Sequence, residues 1–277
     1  MSENNKYPLV SIICLCWNHE EYINQCFSSI FEQTYKNIEI IFIDNNSTDN
    51  SYQIGLSLLQ KSAISYKTIK RNDNFSVSNN LNKALNECSG TYVLCISTDD
   101  WLTNDSIELK VNFLENNLDY AMVYTNGYLY FQNNDLIKDY IIENPFSGNV
   151  FKELLKSNFI FDIGVLTRKQ VMVEVGKYDE NIGIEDWYMW LKIAEKNKVG
   201  FLDKKLAFYR KHNTNSSLNL KKMKDNELKI LNQYLNYKEA QVGIKKIKKR
   251  YIQQLFFQQL NKLALYRYLK NNIKKLL

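Results

Sequence analysis

Two carboxylates, Asp99 and Asp100, stand side by side directly after the apolar run Tyr92-Val93-Leu94-Cys95-Ile96. Adjacent carboxylates at a strand end repel each other and raise one pKa unless a cation lies between them. Mg2+ or Mn2+ suits such an oxygen-rich pair and leaves positions open for substrate phosphates. The plainer alternative is a helix cap, but Asn104 and Asp105 lie closer to that job. A second acidic pair, Glu185-Asp186, opens a segment with Trp187, Trp190, Leu191 and Ala194 at helical spacing. The helix macrodipole favours acids there, so one of the two serves as a cap and the other is free to act. His212, one of two histidines, follows Arg210 and Lys211. Beside a metal-bound diphosphate it would be a ligand or a phosphate contact.

Glycine narrows the choices. The chain has nine, and the closest two, Gly176 and Gly183, are seven apart. The G-x-G-x-x-G dinucleotide fingerprint, the P-loop and the G-x-S-x-G nucleophile elbow are therefore all absent. If a nucleotide is bound, metal ions or cationic side chains must hold its phosphates.

The elements that position these residues read as an alternation. Residues 9–16 form a continuous apolar run, the mark of a strand covered on both faces. Tyr22, Ile23, Cys26, Phe27, Ile30 and Phe31 recur at helical spacing; 38–43 is a second strand ending at Asp44; Ile54, Leu58 and Leu59 continue a helix; 64–69 is a shorter strand. Val77, Leu81, Ala84, Leu85 and Cys88 give another helix before the strand at 92–96. Such alternation calls for a mostly parallel sheet with helices on both faces, and ligands bind at the carboxyl ends of its strands. The polar clusters Asn18-His19-Glu20, Asp44-Asn45-Asn46 and Asp99-Asp100 would then converge on one rim. Further on, 121–131 reads as strand with a turn at Asn126-Gly127, 149–157 as helix, 159–166 as extended and 206–210 as strand.

A chain of 277 residues with 45% apolar and 24% charged residues buries a core without staples. Three of its five cysteines sit in apolar runs, which indicates reduced thiols and a reducing compartment. No stretch reaches the roughly 18 apolar residues of a membrane span, so the chain is expected in the cytoplasm. The net charge of +6 hides a split: residues 221–277 hold 15 Lys+Arg against 3 Asp+Glu, a net of +12, and the rest carries −6. Ile252, Phe256, Leu260 and Leu263 step as one helical face does, and Leu269, Ile273 and Leu276 continue it. Residues 244–277 either pack on the body or lie on an anionic membrane surface. No nucleic-acid recognition module accompanies the charge, and no nucleic-acid partner is expected.

The motifs resemble, in order, those of the family 2 inverting glycosyltransferases of GT-A fold, over residues 8–216. Pro8 to Ile13 with Asn18 to Ile23 resembles the opening strand and turn; Ser28-Ser29-Ile30 with Gln33-Thr34-Tyr35 resembles S-I-x-x-Q-T-Y. Glu39 to Asp49 resembles E-I-I-V-V-D-D-G-S-T-D; Gly90 to Val93, then Ser97 to Trp101, resembles G-x-Y-I leading into D-x-D-D. Gly176 to Glu180 with Glu185-Asp186-Trp187 resembles G-x-F-D-E and E-D; Tyr209 to His212 with Asn215-Ser216 resembles Y-R-x-H-x-x-N-x-S.

The resemblance implies an α/β GT-A fold over 1–217, with a nucleotide-sugar half at 8–101 and an acceptor half at 102–217, and a basic amphipathic helical region at 218–277. It implies transfer from a nucleotide-diphosphate sugar, a UDP-sugar, to a hydroxyl of a glycan or lipid-linked acceptor. Asp44 would contact the base, with Asn18 among the nucleotide-sugar contacts; Asp99 would face the ribose or the metal; Asp100 would bind Mn2+ or Mg2+. Asp186 would be the general base, Glu185 and Trp187 would shape the acceptor pocket, and Arg210 and His212 would meet the diphosphate or, for His212, the metal. Ser97, Asn45, Asn46 and Phe75 depart from the family pattern, where an acid, Asp, Gly and Gly are usual. Abundant Asn, Lys and Ile hint at an AT-rich bacterial genome, where such enzymes build surface polysaccharides. The rival readings are a non-catalytic nucleotide-sugar or glycan-binding module and a glycoside hydrolase, which also sets two carboxylates across a sugar.

Overall fold

The computed structural model describes residues 7–215 and 218–276, with the side chains of 258 and 261–276 outside that description. Two compact units are distinguished: residues 7–154 with 158–215, and residues 155–157 with 218–276.

The first unit opens with the expected alternation: β1 (Val10–Cys16), α1 (Ile23–Phe31), β2 (Ile38–Asp44), α2 (Ser51–Lys61), β3 (Ser65–Lys70), α3 (Val77–Glu87) and β4 (Tyr92–Ser97). It continues through β5 (Trp101–Leu102), α4 (Ser106–Asn116), β6 (Tyr120–Phe131), β7 (Leu136–Tyr140), the first four residues of α5 (Phe151–Lys156), β8 (Leu166–Arg168), α6 (Lys169–Glu174), α7 (Glu185–Ala194) and β9 (Lys198–Lys211). One sheet runs in the order β3-β2-β1-β4-β8-β6-β9-β5, with β7 on β6. The first four strands pair in parallel; β8 joins β4 and β6 antiparallel, and β6 and β9 are parallel. The core lies where β1 and β2 are covered on both faces: Ile12, Ile13, Ile40, Ile41 and Phe42 have no exposed surface.

Register places the chemistry. Cys16 pairs with Asp44 and Leu15 with Ser97, so β1, β2 and β4 end side by side. The three polar loops beyond them therefore leave from one edge.

Three expectations change. Asn126-Gly127 makes no turn, because β6 runs through it. Asn126 Nδ2 instead donates to Asp203 Oδ1 (2.8 Å) and its Oδ1 accepts from Ile142 N (2.8 Å). Gly127 lets Phe161 approach, since a Cβ would lie 2.1 Å from that ring and 2.8 Å from the Ala207 carbonyl oxygen. The segment 159–166 is mostly irregular, with Gly164 at φ +72°. The strand expected at 206–210 begins earlier, at Lys198.

All five cysteines are unpaired, four of them buried. Burial pushes Cys88 up to about 11 and Cys16 and Cys95 to about 12.

The second unit holds α8 (Leu220–Leu231) and the long α9 (Lys238–Leu276). Ile230, Leu231, Ala240 and Ile247 are buried, and Arg250 pairs with Glu227. The start of the expected surface segment, through Ile247, is thus packing. Beyond it Ile252, Leu255, Phe256, Phe257 and Leu260 are exposed; the side chains of Leu263, Leu269, Ile273 and Leu276 lie outside the described residues. Among the described residues no helix is long and apolar enough to cross a membrane.

Candidate active site

The loop after β2 carries Asp44 at its root. Asp44 is fully buried; Oδ2 accepts from Ser47 N (3.0 Å), and Oδ1 is buried without a protein partner. An orphaned buried oxygen is costly, so this atom is a ready acceptor for a ligand N–H. Asn18 (φ +57°) and Asn46 (φ +60°) both take the left-handed conformation, which Asn tolerates better than most residues. Asn18 Oδ1 accepts from Thr48 N (2.8 Å), tying the first rim loop to the second.

Asn45 and Phe75, two departures from the family pattern, act together. Phe75 N donates to Asn45 Oδ1 (2.9 Å), and Asn45 Nδ2 donates to Phe75 O (2.9 Å) and Asn74 Oδ1 (2.9 Å). The amide so anchors the loop in which Phe75 stands. Arg71, which sequence reasoning missed, stacks its guanidinium 3.8 Å from the Phe75 ring centroid. Its backbone N–H donates to Asp44 O (2.9 Å), and its side-chain Nε is buried without a partner.

The turn after β4 brings Asp99 between two histidines. Its Oδ2 lies 2.9 Å from His212 Nε2 and 3.9 Å from His19 Nε2, while its Oδ1 is buried and unpartnered. Burial by itself raises the Asp99 carboxyl, but the His212 hydrogen bond and the His19 charge hold it below the usual range. His212 Nδ1 is 2.7 Å from Thr214 Oγ1, so both its ring nitrogens have protein partners. His19 Nδ1 likewise meets Thr98 Oγ1 at 2.9 Å.

Asp100 is buried, and its Oδ1 accepts from Arg210 N (2.8 Å). Burial, with Asp99 and then Asp162 adding repulsion, pushes its carboxyl well above the usual range. Arg210 donates from Nε to Asp99 O (2.8 Å) and from Nη2 to Gln25 Oε1. Its guanidinium lies 4.9, 4.8 and 5.1 Å from the rings of Tyr22, Trp101 and Tyr130. It is a strap that holds β9 to the Asp99-Asp100 turn.

On the other side α7 opens at Glu185, as expected. Asp186 Oδ1 accepts from Trp187 N (2.6 Å). Burial, then Asp162, then Glu185 push the Asp186 carboxyl well above its usual range. Trp187, expected to shape a pocket, is 2% exposed, and its indole N–H donates to Leu154 O (3.2 Å). It supports the helix start from beneath.

Asp162 is the acidic residue that sequence reasoning passed over. It is solvent-accessible yet crowded by protein, and that crowding, with Asp99, raises its carboxyl; Lys211 opposes the shift. Lys211 in turn is lowered by burial, with Asp162 and Asp100 pulling the other way. The available signal was a lone acid inside Phe159-Ile160-Phe161-Asp162-Ile163. Asp99, Asp100, Asp162, Glu185 and Asp186 thus share one electrostatic neighbourhood with Lys211, Arg210 and two histidines.

The sequence pattern described as glycosyl transferase family 2 matches residues 11–176. The chain belongs to glycosyl transferase family 2. The match holds Asp44, Asp99 and Asp100; Asp186 and Arg210 lie beyond it. Among relatives of this family, chondroitin synthase of Escherichia coli is 27% identical over 248 residues, 88% of this chain and 34% of the relative. Glycosyltransferase GlyA of Streptococcus pneumoniae serotype 4 is 27% identical over 221 residues, 73% of this chain and 30% of the relative. The chain spans about a third of the length of these relatives. The fold matches S. aureus TarS 1–349 in complex with UDP-GlcNAc at TM-score 0.69, 17% identity, covering 88% of this chain and 72% of that one. It also matches the mannosyltransferase PcManGT from Pyrobaculum calidifontis in complex with GDP-Man and Mn2+ at TM-score 0.68, 13% identity, covering 89% and 70%. Membership of glycosyl transferase family 2 favours the glycosyltransferase reading over the hydrolase one.

The raised Asp100 carboxyl has a consequence for stability. A carboxyl whose folded pKa exceeds its unfolded value, about 3.9, costs stability when ionised, and the cost fades as pH falls through the folded pKa. Asp100→Asn keeps the Oδ1 acceptor for Arg210 N and removes the charge. In EDTA at pH 7, D100N should melt a few degrees above wild type, at about 2–4 °C per kcal/mol for a chain of this size. Thermal unfolding from pH 7 to 5 checks it: the advantage should shrink with falling pH.

Proposed function

We propose that the chain transfers a sugar from a nucleotide-diphosphate sugar, a UDP-sugar, to a hydroxyl of a glycan or lipid-linked acceptor, with inversion. The observation that carries the reading is the pair of unpartnered buried oxygens, Asp44 Oδ1 and Asp99 Oδ1, with Asp99 interacting electrostatically with Asp162, and Asp162 in turn with Asp186. UDP-GlcNAc in TarS and GDP-Man in PcManGT support a nucleotide-sugar donor. In this reading residues 1–217 are the catalytic domain, Asp44, Asn18 and Arg71 hold the nucleoside, and Arg210 fixes the turn beneath the diphosphate.

A divalent cation fits this donor set. Asp99 Oδ1 lacks a partner, and Asp99 and Asp162 raise the Asp100 carboxyl, a repulsion a cation would relieve. Among the described residues no three His, Cys, Asp or Glu groups are gathered as ligands; one or two carboxylates plus substrate phosphates is a usual arrangement for Mg2+. Asp99 and Asp100 would hold Mn2+ or Mg2+, with His212 orienting Asp99. When bound, the ion would neutralise charge on the departing diphosphate. Mn2+ in PcManGT supports this.

Asp186 accepts the proton of the acceptor hydroxyl at its carboxylate as that oxygen attacks the anomeric carbon. Its raised pKa makes it a stronger base than an ordinary carboxylate. Glu185 orients the acceptor, and Trp187 keeps the start of α7 rigid. The setting is the synthesis of a bacterial surface polysaccharide, on the cytoplasmic face of the membrane.

The exposed apolar residues of α9 from Ile252 onward, beyond the cationic block Lys245 to Arg250, suit an anionic lipid surface.

Three outcomes test the proposal. Asp186→Asn should slow transfer by about 10²–10⁴-fold while nucleotide-sugar affinity stays near wild type; a normal rate would refute the assignment of the base. EDTA should abolish transfer in a nucleotide-release assay and Mn2+ or Mg2+ restore it; full activity in EDTA would leave the diphosphate to cationic groups alone. Deleting 252–277, which spares the packed start of α9, should abolish sedimentation with anionic vesicles and spare donor turnover. Full-length protein should detach as salt screens its charges, over ~10 Å at 0.1 M.

A further inference from the structure

Helix α3 carries a row of small polar side chains that touch both sides of the site. Asn79 stands at the joint. Its Oδ1 accepts from Arg71 Nη2 (2.7 Å), and its Nδ2 donates to Glu180 Oε2 (3.0 Å). Flipping this amide would set nitrogen against guanidinium and oxygen against carboxylate, so the two partners fix its orientation. Asn82 repeats the pattern one turn on: its Nδ2 donates to Glu180 Oε1 (3.3 Å) and Tyr178 O (2.9 Å), and its Oδ1 accepts from Tyr178 N (3.0 Å). Ser78 Oγ donates to Ile182 O (3.2 Å). The segment 178–184 has no regular secondary structure of its own, is partly exposed and leads directly into Glu185 and Asp186.

At the other end of the row, Arg71 is tied through its backbone N–H to Asp44 O, and its guanidinium holds a buried Nε with no protein partner. A nucleotide seated at Asp44 would complete that set and hold the guanidinium still. We infer that Arg71, Asn79 and Glu180 form a relay by which nucleotide occupancy orders the segment 178–184 and so positions the base for the acceptor. This rests on the proposal that Asp44 and Arg71 meet the nucleotide. The coupling is reciprocal: an acceptor that orders 178–184 tightens nucleotide binding by the same factor. Asn79, Asn82 and Glu180 are positioning residues; none of them takes part in the chemistry.

Hydrogen exchange on the full chain, with UDP or GDP and Mg2+, tests the relay. In wild type, nucleotide should protect 44–47 and 71–75, and slow exchange in 178–184 by at least about fivefold, the lower end of ordinary coupling. Glu180→Ala leaves the Arg71–Asn79 bond in place; at saturating nucleotide, protection at 44–47 should stay as in wild type, while the gain in 178–184 disappears and nucleotide affinity falls by about the same factor. Asn79→Ala should also lose that gain and serves as the second variant if Glu180→Ala is unstable. A wild type that protects 44–47 but not 178–184 overturns the relay, and so does either folded variant that keeps the full gain. If neither nucleotide protects 44–47, the nucleotide-site proposal fails first and the relay with it.

Discussion

The site depends on one buried contact, the Asp100 carboxylate on the Arg210 amide. It joins the turn after the parallel half of the sheet to a strand far along the chain. A hydrogen bond to a charged group contributes roughly 1.5–3 kcal/mol, and here it also sets where the neighbouring side chains of β9 and its continuation can reach. With the backbone at 210 fixed, the Arg210 side chain reaches Asp99 O, Gln25 and three aromatic rings. Two residues on, His212 reaches Asp99 Oδ2. Between them Lys211 answers to Asp162 and Asp100. The cost is a carboxylate kept away from water beside another of like charge. Fold stability does not require that arrangement; it is the kind of perturbed group that gathers where charge is handled.

Much of this was legible in the residues. The apolar runs of β1, β2 and β4 and the polar clusters after them located the rim, because parallel strands in register end together. Asn18 and Asn46 take left-handed turns that few other side chains accept. Asn126-Gly127 misled for a physical reason: the pair that makes a good turn also suits a strand whose Asn is spent on neighbours and whose Gly admits a ring. Asp162 was hidden because a strand reading treats an acid in an apolar run as pleat alternation, and only the third dimension sets it beside Asp186. Arg71 was hidden because its value lies in a backbone bond to Asp44 and a stack on Phe75, neither visible as a spacing.

Asn45 and Phe75 illustrate how a family pattern bends without breaking. Where the pattern has a carboxylate and a glycine, this chain has an amide that grips the backbone of Phe75 from both its ends. Phe75 then offers Arg71 a face to lie on. The two departures hold each other in place, and they leave Asp44 Oδ1 unclaimed by the protein.

The five thiols carry a practical consequence for anyone studying this molecule. Each is unpaired and either buried or partly so, and burial keeps the thiolate fraction of Cys16, Cys88 and Cys95 negligible at neutral pH. The native protein therefore supplies a nearly silent background for thiol chemistry. A single cysteine introduced on an exposed position would carry a fluorophore or spin label alone, so distances across the site could be followed without first stripping the chain of its own sulfur.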